Sequence, residues 1–247
     1  MKHQSYYLNN QNYSEYLNHQ NRSIFKKYVD YIVKFTKIDS SVLEVGCGTG
    51  IVLSMCNKKN RKQSIGIDVS LPSIAHCKSR DNNCVWYDGG VIPFKSQSFD
   101  IVSSYNVLEH TDNPNFFLDE SLRVLKIGGY IFICCPNFLS ITNNFHHHTR
   151  GVKQKMFNIL DLIILFITKK RFFTKMKAVN RNIFQPDDDA VNVTNPLTII
   201  LWARHNKLSL KYWSSQIVYN MGIVNYLDRS IFRLFLGSSF FIFKKNV

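Results

Sequence analysis

The chain is poor in negative charge: 17 acidic residues against 31 basic ones leave a net charge of +14 over 247 residues. An excess of that size points to an anionic partner, such as lipid headgroups, nucleic acid or a phosphorylated substrate, or else to a lysine-rich solvated surface. No run approaches the roughly 20 apolar residues that a membrane-spanning helix needs. The polar, tyrosine-rich stretch from Met1 to Asn12 also lacks the apolar core of a signal peptide. These absences make the cytoplasm the expected compartment. The six cysteines, at 47, 56, 77, 84, 134 and 135, form no C-x-x-C pair and read as reduced, buried side chains. No internal repeat and no Gly/Ser-rich linker divides the chain, so residues 1–247 are expected to form a single domain. At 45% hydrophobic and 19% charged residues, disorder is not the default.

What is present centres on Val42-Leu43-Glu44-Val45-Gly46-Cys47-Gly48-Thr49-Gly50. A short apolar run reads as a buried strand, three glycines follow at every second position, and helical apolar spacing resumes at Ile51, Val52, Leu53 and Met55. Strand, glycine turn and helix together present backbone N–H groups and a helix N-terminus to a nucleotide-like ligand. The spacing is G-x-G-x-G, not the G-x-G-x-x-G of dinucleotide folds, which leaves an NAD-dependent oxidoreductase a distant alternative. Glu44, an acid at the strand end, would repel a pyrophosphate and attract a cation.

Around this stretch the pattern alternates. Residues 1–20 read as a polar arm, and 23–37 as an amphipathic helix capped by Ser23. Strands are predicted at 41–45, 64–68, 83–87, 98–105 and 130–135. Helices are predicted at 49–58, 72–80 and from Pro114 to about 125, the last stopped by Gly128-Gly129. Asp68 closes the second strand 18 residues after Gly50, near the spacing at which an acid meets ribose hydroxyls. Beyond Pro136 the rhythm breaks until Asn195-Pro196 restarts a helix; 208–212 and 239–243 read as two final strands forming an antiparallel edge pair. The expected fold is α/β: a doubly wound, mostly parallel, seven-stranded Rossmann-like sheet with an insertion after strand five. Its parts are an N-terminal helical arm (1–40), a core (41–136), the insertion (137–193), and a C-terminal helix with two strands (194–247).

Four phrases in order, VLEVGCGTG, IGIDVS, IPFKSQSFDIVSSYNVLEH and LRVLKIGGYIFICCPN, resemble the core of class I S-adenosylmethionine-dependent methyltransferases, in particular the small-molecule branch like ubiquinone biosynthesis. They cover about 95 of the 247 residues. The resemblance implies S-adenosyl-L-methionine as cofactor. It places the methionine part against Gly46, Cys47, Gly48 and Gly50, and the ammonium near Glu44. Asp68 takes the ribose hydroxyls, Asp88 lies near the adenine amino group, Val69 and Gly89 flank the ring, and Asn106 stands nearby. Glu109 and His110 are the catalytic candidates, His110 as general base because its ordinary pKa lies near neutrality. Relatives with E-x-x-E-H at this point bind a divalent cation. Here Asn106 replaces the first Glu, leaving Glu109, His110 and one of His146, His147 or His148 as a reduced ligand set.

The insertion occupies the family's acceptor-side position. Between Ile141 and Gln185 it carries nine basic residues against one acid, +8 of the total charge. Residues 156–167 are apolar almost all round. This segment suits either a lid over an apolar acceptor pocket or a helix in an anionic membrane interface, with 153–177 as the peripheral contact. The favoured function is methyl transfer to an oxygen of a small lipid-like, aromatic or glycan-type acceptor. An RNA methyltransferase is the rival enzyme, although no single-strand-binding signature accompanies it. A catalytically silent scaffold or membrane-binding protein of the same fold is the rival from outside the enzymes. Oligomeric state has no signature in the sequence.

Overall fold

A computed structural model describes residues 3–59, 64–140, 156, 160, 173–178, 188–215, 228 and 230–246. Seven strands build one sheet: β1 (Val42–Val45), β2 (Ser64–Asp68), β3 (Cys84–Trp86), β4 (Phe99–Tyr105), β5 (Leu125–Pro136), and two C-terminal strands, β8 (Ser209–Ser214) and β9 (Ser238–Lys244). Their spatial order is β3-β2-β1-β4-β5-β9-β8. The first five run parallel, and β9 is antiparallel to both β5 and β8. The sequence placed the last two strands as an edge pair. They do form an antiparallel pair at that edge, β8 outermost and β9 against β5, with Phe240–Phe243 of β9 alternating into both apolar layers and buried on each.

That alternation, period two along every central strand, divides the core. Leu43, Val45, Val102, Ile131, Ile133, Phe241 and Phe243 face one layer, where they meet Phe117 and Leu118 of α5 (Pro114–Val124) and Ile199 and Trp202 of α6 (Pro196–His205). Val42, Ile101, Phe132, Cys134, Phe240 and Ile242 face the other, against Tyr28, Val29 and Ile32 of α2 (Lys26–Phe35) and Ile51 and Val52 of α3 (Ile51–Asn57). All six cysteines are buried, and none is in a disulfide among the described residues.

Helix starts follow local chemistry. Asn113 and Asn195 accept the N–H groups of Phe116 and Thr198 and are each followed by proline; Ser70 does the same for Ser73 at the head of α4 (Leu71–Lys78). The expected Ser23 cap is instead Asn21, whose side chain accepts the Ser23 N–H and opens a short 3-10 turn before α2. Helix α5 ends at Val124, before the two glycines. Residues 126–129 bulge out of β5 between the pairs Phe99–Leu125 and Ile101–Tyr130, and Gly129 is needed there because a Cβ would lie 2.8 Å from the Asp100 carbonyl.

The largest departure is at the N-terminus. The stretch read as a polar arm forms a 3-10 turn (His3–Tyr6) and helix α1 (Gln11–Asn18), which packs on α4. Arg80 ties it down, its guanidinium donating to the Asn18 side chain and the Thr49 carbonyl, while the Leu71 N–H donates to the Leu8 carbonyl at 3.0 Å. A further two-stranded pair joins β6 (Thr174–Lys175) to β7 (Asn192–Val193), bringing both ends of that stretch beside the turn that follows β4. Of the apolar stretch 156–167, only Met156 and Leu160 lie among the described residues; both are helical and exposed.

The glycine turn sets the angle between β1 and α3. Gly50 has φ +77, and a Cβ there would lie 2.6 Å from both Cys77 Sγ and Asn82 Nδ2. Replacing Gly50 with alanine should therefore lower stability by about 1–3 kcal/mol. Thermal unfolding checks this, and an unchanged Tm would show that the turn tolerates a side chain.

Candidate active site

Because β1, β2 and β4 are parallel, their carboxyl ends emerge on one edge, and the sheet order reverses between β1 and β4. A cavity of about 410 Å3 opens at this point. Its floor is the turn after β1. The Gly46 and Cys47 N–H groups donate to the Ile67 carbonyl at 2.8 and 3.0 Å, and the Gly48 N–H donates to Asp68 Oδ2 at 2.8 Å. At Gly46 a Cβ would come within 2.3 Å of Val107 Cγ2, so the turn and the loop after β4 close on each other only because nothing projects there.

Two acids stand under this floor. Asp68 Oδ1 accepts the Ser70 N–H at 2.8 Å while Oδ2 takes that of Gly48. Burial raises its pKa, and these backbone bonds oppose the rise. Glu44 is 2% exposed and points into the layer of α2, where Ser103 Oγ donates to it. Burial pushes its pKa up to about 8, with the Ser103 bond acting the other way. Without a cationic ligand, Glu44 is therefore largely a neutral acid at pH 7.

The N-terminal segment closes one side. Tyr7, Tyr13, Tyr16 and Leu17 line the cavity, and Leu17 lies directly over Gly48, whose Cβ would meet Leu17 Cδ1 at 3.2 Å. The tyrosine rings touch in sequence, Tyr7 to Tyr13 at 5.0 Å and Tyr13 to Tyr16 at 6.4 Å between centroids. These residues were missed because the segment is polar overall; its tyrosine content was the available clue.

The 3-10 turn Leu108–His110 continues the wall beside Tyr7. His110 sits between two buried carboxylates, Nε2 3.6 Å from Glu109 Oε1 and Nδ1 3.7 Å from Asp189 Oδ2. Tyr7 donates its hydroxyl to the same Asp189 oxygen at 2.7 Å, and its ring meets the imidazole edge-on. Burial first, and then the Asp189 charge, hold the Tyr7 hydroxyl well above its ordinary pKa. Asp189 was also missed; it ends the run Asp187-Asp188-Asp189 that follows the basic segment.

Of the residues singled out in the sequence, Glu44, Gly46, Cys47, Gly48, Asp68, Val69, Asn106 and His110 line the cavity. Asn106 adopts φ +53 and donates its N–H to the Cys134 carbonyl at 2.8 Å, a backbone state that asparagine tolerates. Glu109 is fully buried behind the wall. Three positions fall elsewhere. Gly50 faces Cys77 and Asn82, so its need is one of helix packing. Asp88 and Gly89 lie outside the lining, because Asp88 Oδ1 turns back to accept the Gly90 N–H at 2.9 Å; Tyr87 lines the cavity there beside Val69. Among the described residues, no three His, Cys, Asp or Glu side chains are grouped to hold a metal ion, and His146, His147 and His148 lie outside those residues.

Residues 43–133 match the family model described as a methyltransferase domain. A mitochondrial ubiquinone biosynthesis O-methyltransferase of Dictyostelium discoideum is 31% identical over 204 residues, covering 70% of this chain and 58% of that protein. An uncharacterized methyltransferase of Schizosaccharomyces pombe is 32% identical over 119 residues, 42% of each chain. The chain thus spans about half the length of such curated relatives. A S-adenosylmethionine-dependent methyltransferase from Aquifex aeolicus superposes with TM-score 0.58 over 95% of this chain and 97% of that one, at 13% identity, and so shares the fold. Residues 43–133 carry a methyltransferase domain, and the chain resembles the class I S-adenosylmethionine-dependent methyltransferases. S-adenosyl-L-methionine is accordingly the cofactor to be fitted. The cavity suits it: a side-chain-free floor admits a close-lying ligand, one buried and one half-buried acid could face a cation and hydroxyl donors, and no Lys or Arg among the described residues lines the cavity to bind phosphate.

The Glu44 environment has a measurable sign. Its folded pKa of about 8 exceeds the ordinary 4.5, so between those values the folded protein holds a proton that the unfolded chain has released. Stability of the ligand-free methyltransferase should fall as pH rises through this window, by at most about 1.4 kcal/mol per pH unit from this group, and level off above it. Urea unfolding of wild type and Glu44→Gln between about pH 5 and about pH 8 reads the difference. Parallel pH profiles for the two proteins would contradict it.

Proposed function

We propose that this methyltransferase moves a methyl group from S-adenosylmethionine to an oxygen of a small acceptor seated between the N-terminal tyrosines and the Leu108–His110 turn. The observation that carries the proposal is His110, held at the cavity wall between two buried carboxylates in a cavity whose lining also includes the glycine floor. Glu44 would meet the cofactor's ammonium and Asp68 its ribose hydroxyls. Gly46, Cys47 and Gly48 would lie against the methionine part, Val69 and Tyr87 beside the adenine, and Asn106 at the mouth.

When bound, the cofactor supplies a methyl carbon already activated by its sulfonium, so transfer ends in a neutral thioether. What remains for the protein is alignment and removal of one proton. His110 takes that proton from the acceptor hydroxyl as the oxygen–methyl bond forms. Glu109 and Asp189, each within 4 Å of a ring nitrogen, stabilise the imidazolium that results. The tyrosines and Leu17 cover the cavity and exclude water from the transfer.

RNA as acceptor has less support. Most of the basic segment lies outside the described residues, and the cavity wall carries acids instead of the cations that a phosphate backbone attracts.

Calorimetry with S-adenosylhomocysteine tests the cofactor half. Binding is expected, and Asp68→Asn, which keeps one acceptor oxygen for the floor, should weaken it by about tenfold or more. A folded protein that takes up no S-adenosylhomocysteine at millimolar concentration would overturn the proposal.

A further inference from the structure

The acceptor half of the cavity holds an acid whose surroundings are incomplete. Asp189 is 5% exposed and lines the cavity. Its place is fixed from the residues that follow: the Val191 N–H donates to the Glu109 carbonyl at 2.8 Å, and the fully buried Asn192 amide donates to the carbonyls of Leu108 at 3.1 Å and Thr111 at 2.7 Å. Oδ2 receives the Tyr7 hydroxyl, with the imidazole of His110 beside it. Oδ1 is buried and has no hydrogen-bond partner among the described residues. A carboxylate oxygen removed from water without a donor costs free energy, which any donor brought through the cavity would recover.

The charge of the lining agrees. Glu44, Asp68 and Asp189 line the cavity, Glu44 as the acid that burial keeps neutral without a cation, and no Lys or Arg among the described residues does so, in a chain whose net charge is +14. Glu44 and Asp68 sit under the glycine floor, while Asp189 stands by His110 and Tyr7, where the acceptor has to lie. An anionic acceptor would meet repulsion there, and a hydrogen-bond donor would meet an acid lacking one.

We propose that Asp189 is the acceptor-binding residue, receiving a hydroxyl or amino hydrogen of the acceptor on Oδ1, and that it selects acceptors with a donor at the reacting end against those ending in an anion. The proposal rests on the reading above that the acceptor sits beside His110. Under it, the carboxylate orients the acceptor heteroatom toward the methyl carbon, while Tyr7 keeps Oδ2 occupied and so leaves one oxygen for the acceptor.

Benzyl alcohol, benzylamine and benzoate, single-ring probes of similar size that differ in the terminal group, test this by ligand-observed NMR titration of the full chain with and without S-adenosylhomocysteine. The alcohol and amine are expected to bind at least about tenfold more tightly than benzoate. Asp189→Asn should bring the three within about threefold of one another by removing the charge. Tyr7→Phe, which leaves the carboxylate in place, should keep the donor preference and serves if Asp189→Asn does not fold. Benzoate binding as tightly as the other two, a ranking unchanged in Asp189→Asn, or no binding of any probe would overturn the proposal. Calorimetry with S-adenosylhomocysteine on the same samples separates the two readings. Cofactor binding with a flat probe ranking refutes the Asp189 assignment alone, and a preserved ranking without cofactor binding refutes the cofactor assignment alone.

Discussion

A single half-buried carboxylate couples the two strands on which the site depends. Asp68, at the end of β2, takes the N–H of Gly48 on one oxygen and that of Ser70 on the other, each at 2.8 Å. The glycine turn after β1 is thereby fixed to the start of α4, and the same contact fixes the height of the cavity floor. Everything above the floor inherits this constraint: Val107 comes down onto Gly46, Leu17 onto Gly48, and Arg80 joins α1 to Thr49. The two N–H donors offset the cost of withdrawing this acid from water, and the acid in turn satisfies two backbone donors of the turns it joins. The energetics of the fold and the shape of the ligand site meet in this one group.

Charge then sorts the cavity into halves. Under the floor, Glu44 is buried deeply enough to prefer its neutral form until a cation arrives. On the cavity wall, Asp189, Glu109 and Tyr7 surround His110 with oxygen atoms. The chain as a whole is strongly basic, so the cavity is an acidic interior within a cationic protein, and the overall charge says little about what the cavity takes. This is why the anionic partner suggested by composition and the ligand suggested by the site differ in sign. The two belong to different surfaces.

Much of the centre was legible in the sequence. The strands β1, β2, β4 and β5 are buried on both faces and so appear as continuous apolar runs, and the glycines at every second position mark the turn. What escaped reading depends on contacts distant along the chain. The pairing of β9 with β5 joins residues more than 100 positions apart, and no local pattern in either strand reveals it. Tyr7 and Tyr13 sit in a polar segment that gives no amphipathic signal, because they pack around a cavity instead of a core. Asp189 acquires its meaning only from Tyr7, 182 residues earlier. Asp88 lies outside the lining for a local reason: aspartate followed two residues later by glycine readily bonds its own backbone, and Oδ1 accepts the Gly90 N–H.

The acids beneath the glycine floor, Glu44 and Asp68, are proposed to hold the charged and hydroxylated parts of one nucleoside. A crystal structure with S-adenosylhomocysteine tests it most directly. The account predicts the amino group on the Glu44 side of the floor and both ribose hydroxyls on Asp68, leaving open space between the sulfur and His110. A nucleoside bound with its ribose away from Asp68, or with its sulfur facing away from His110, would contradict it.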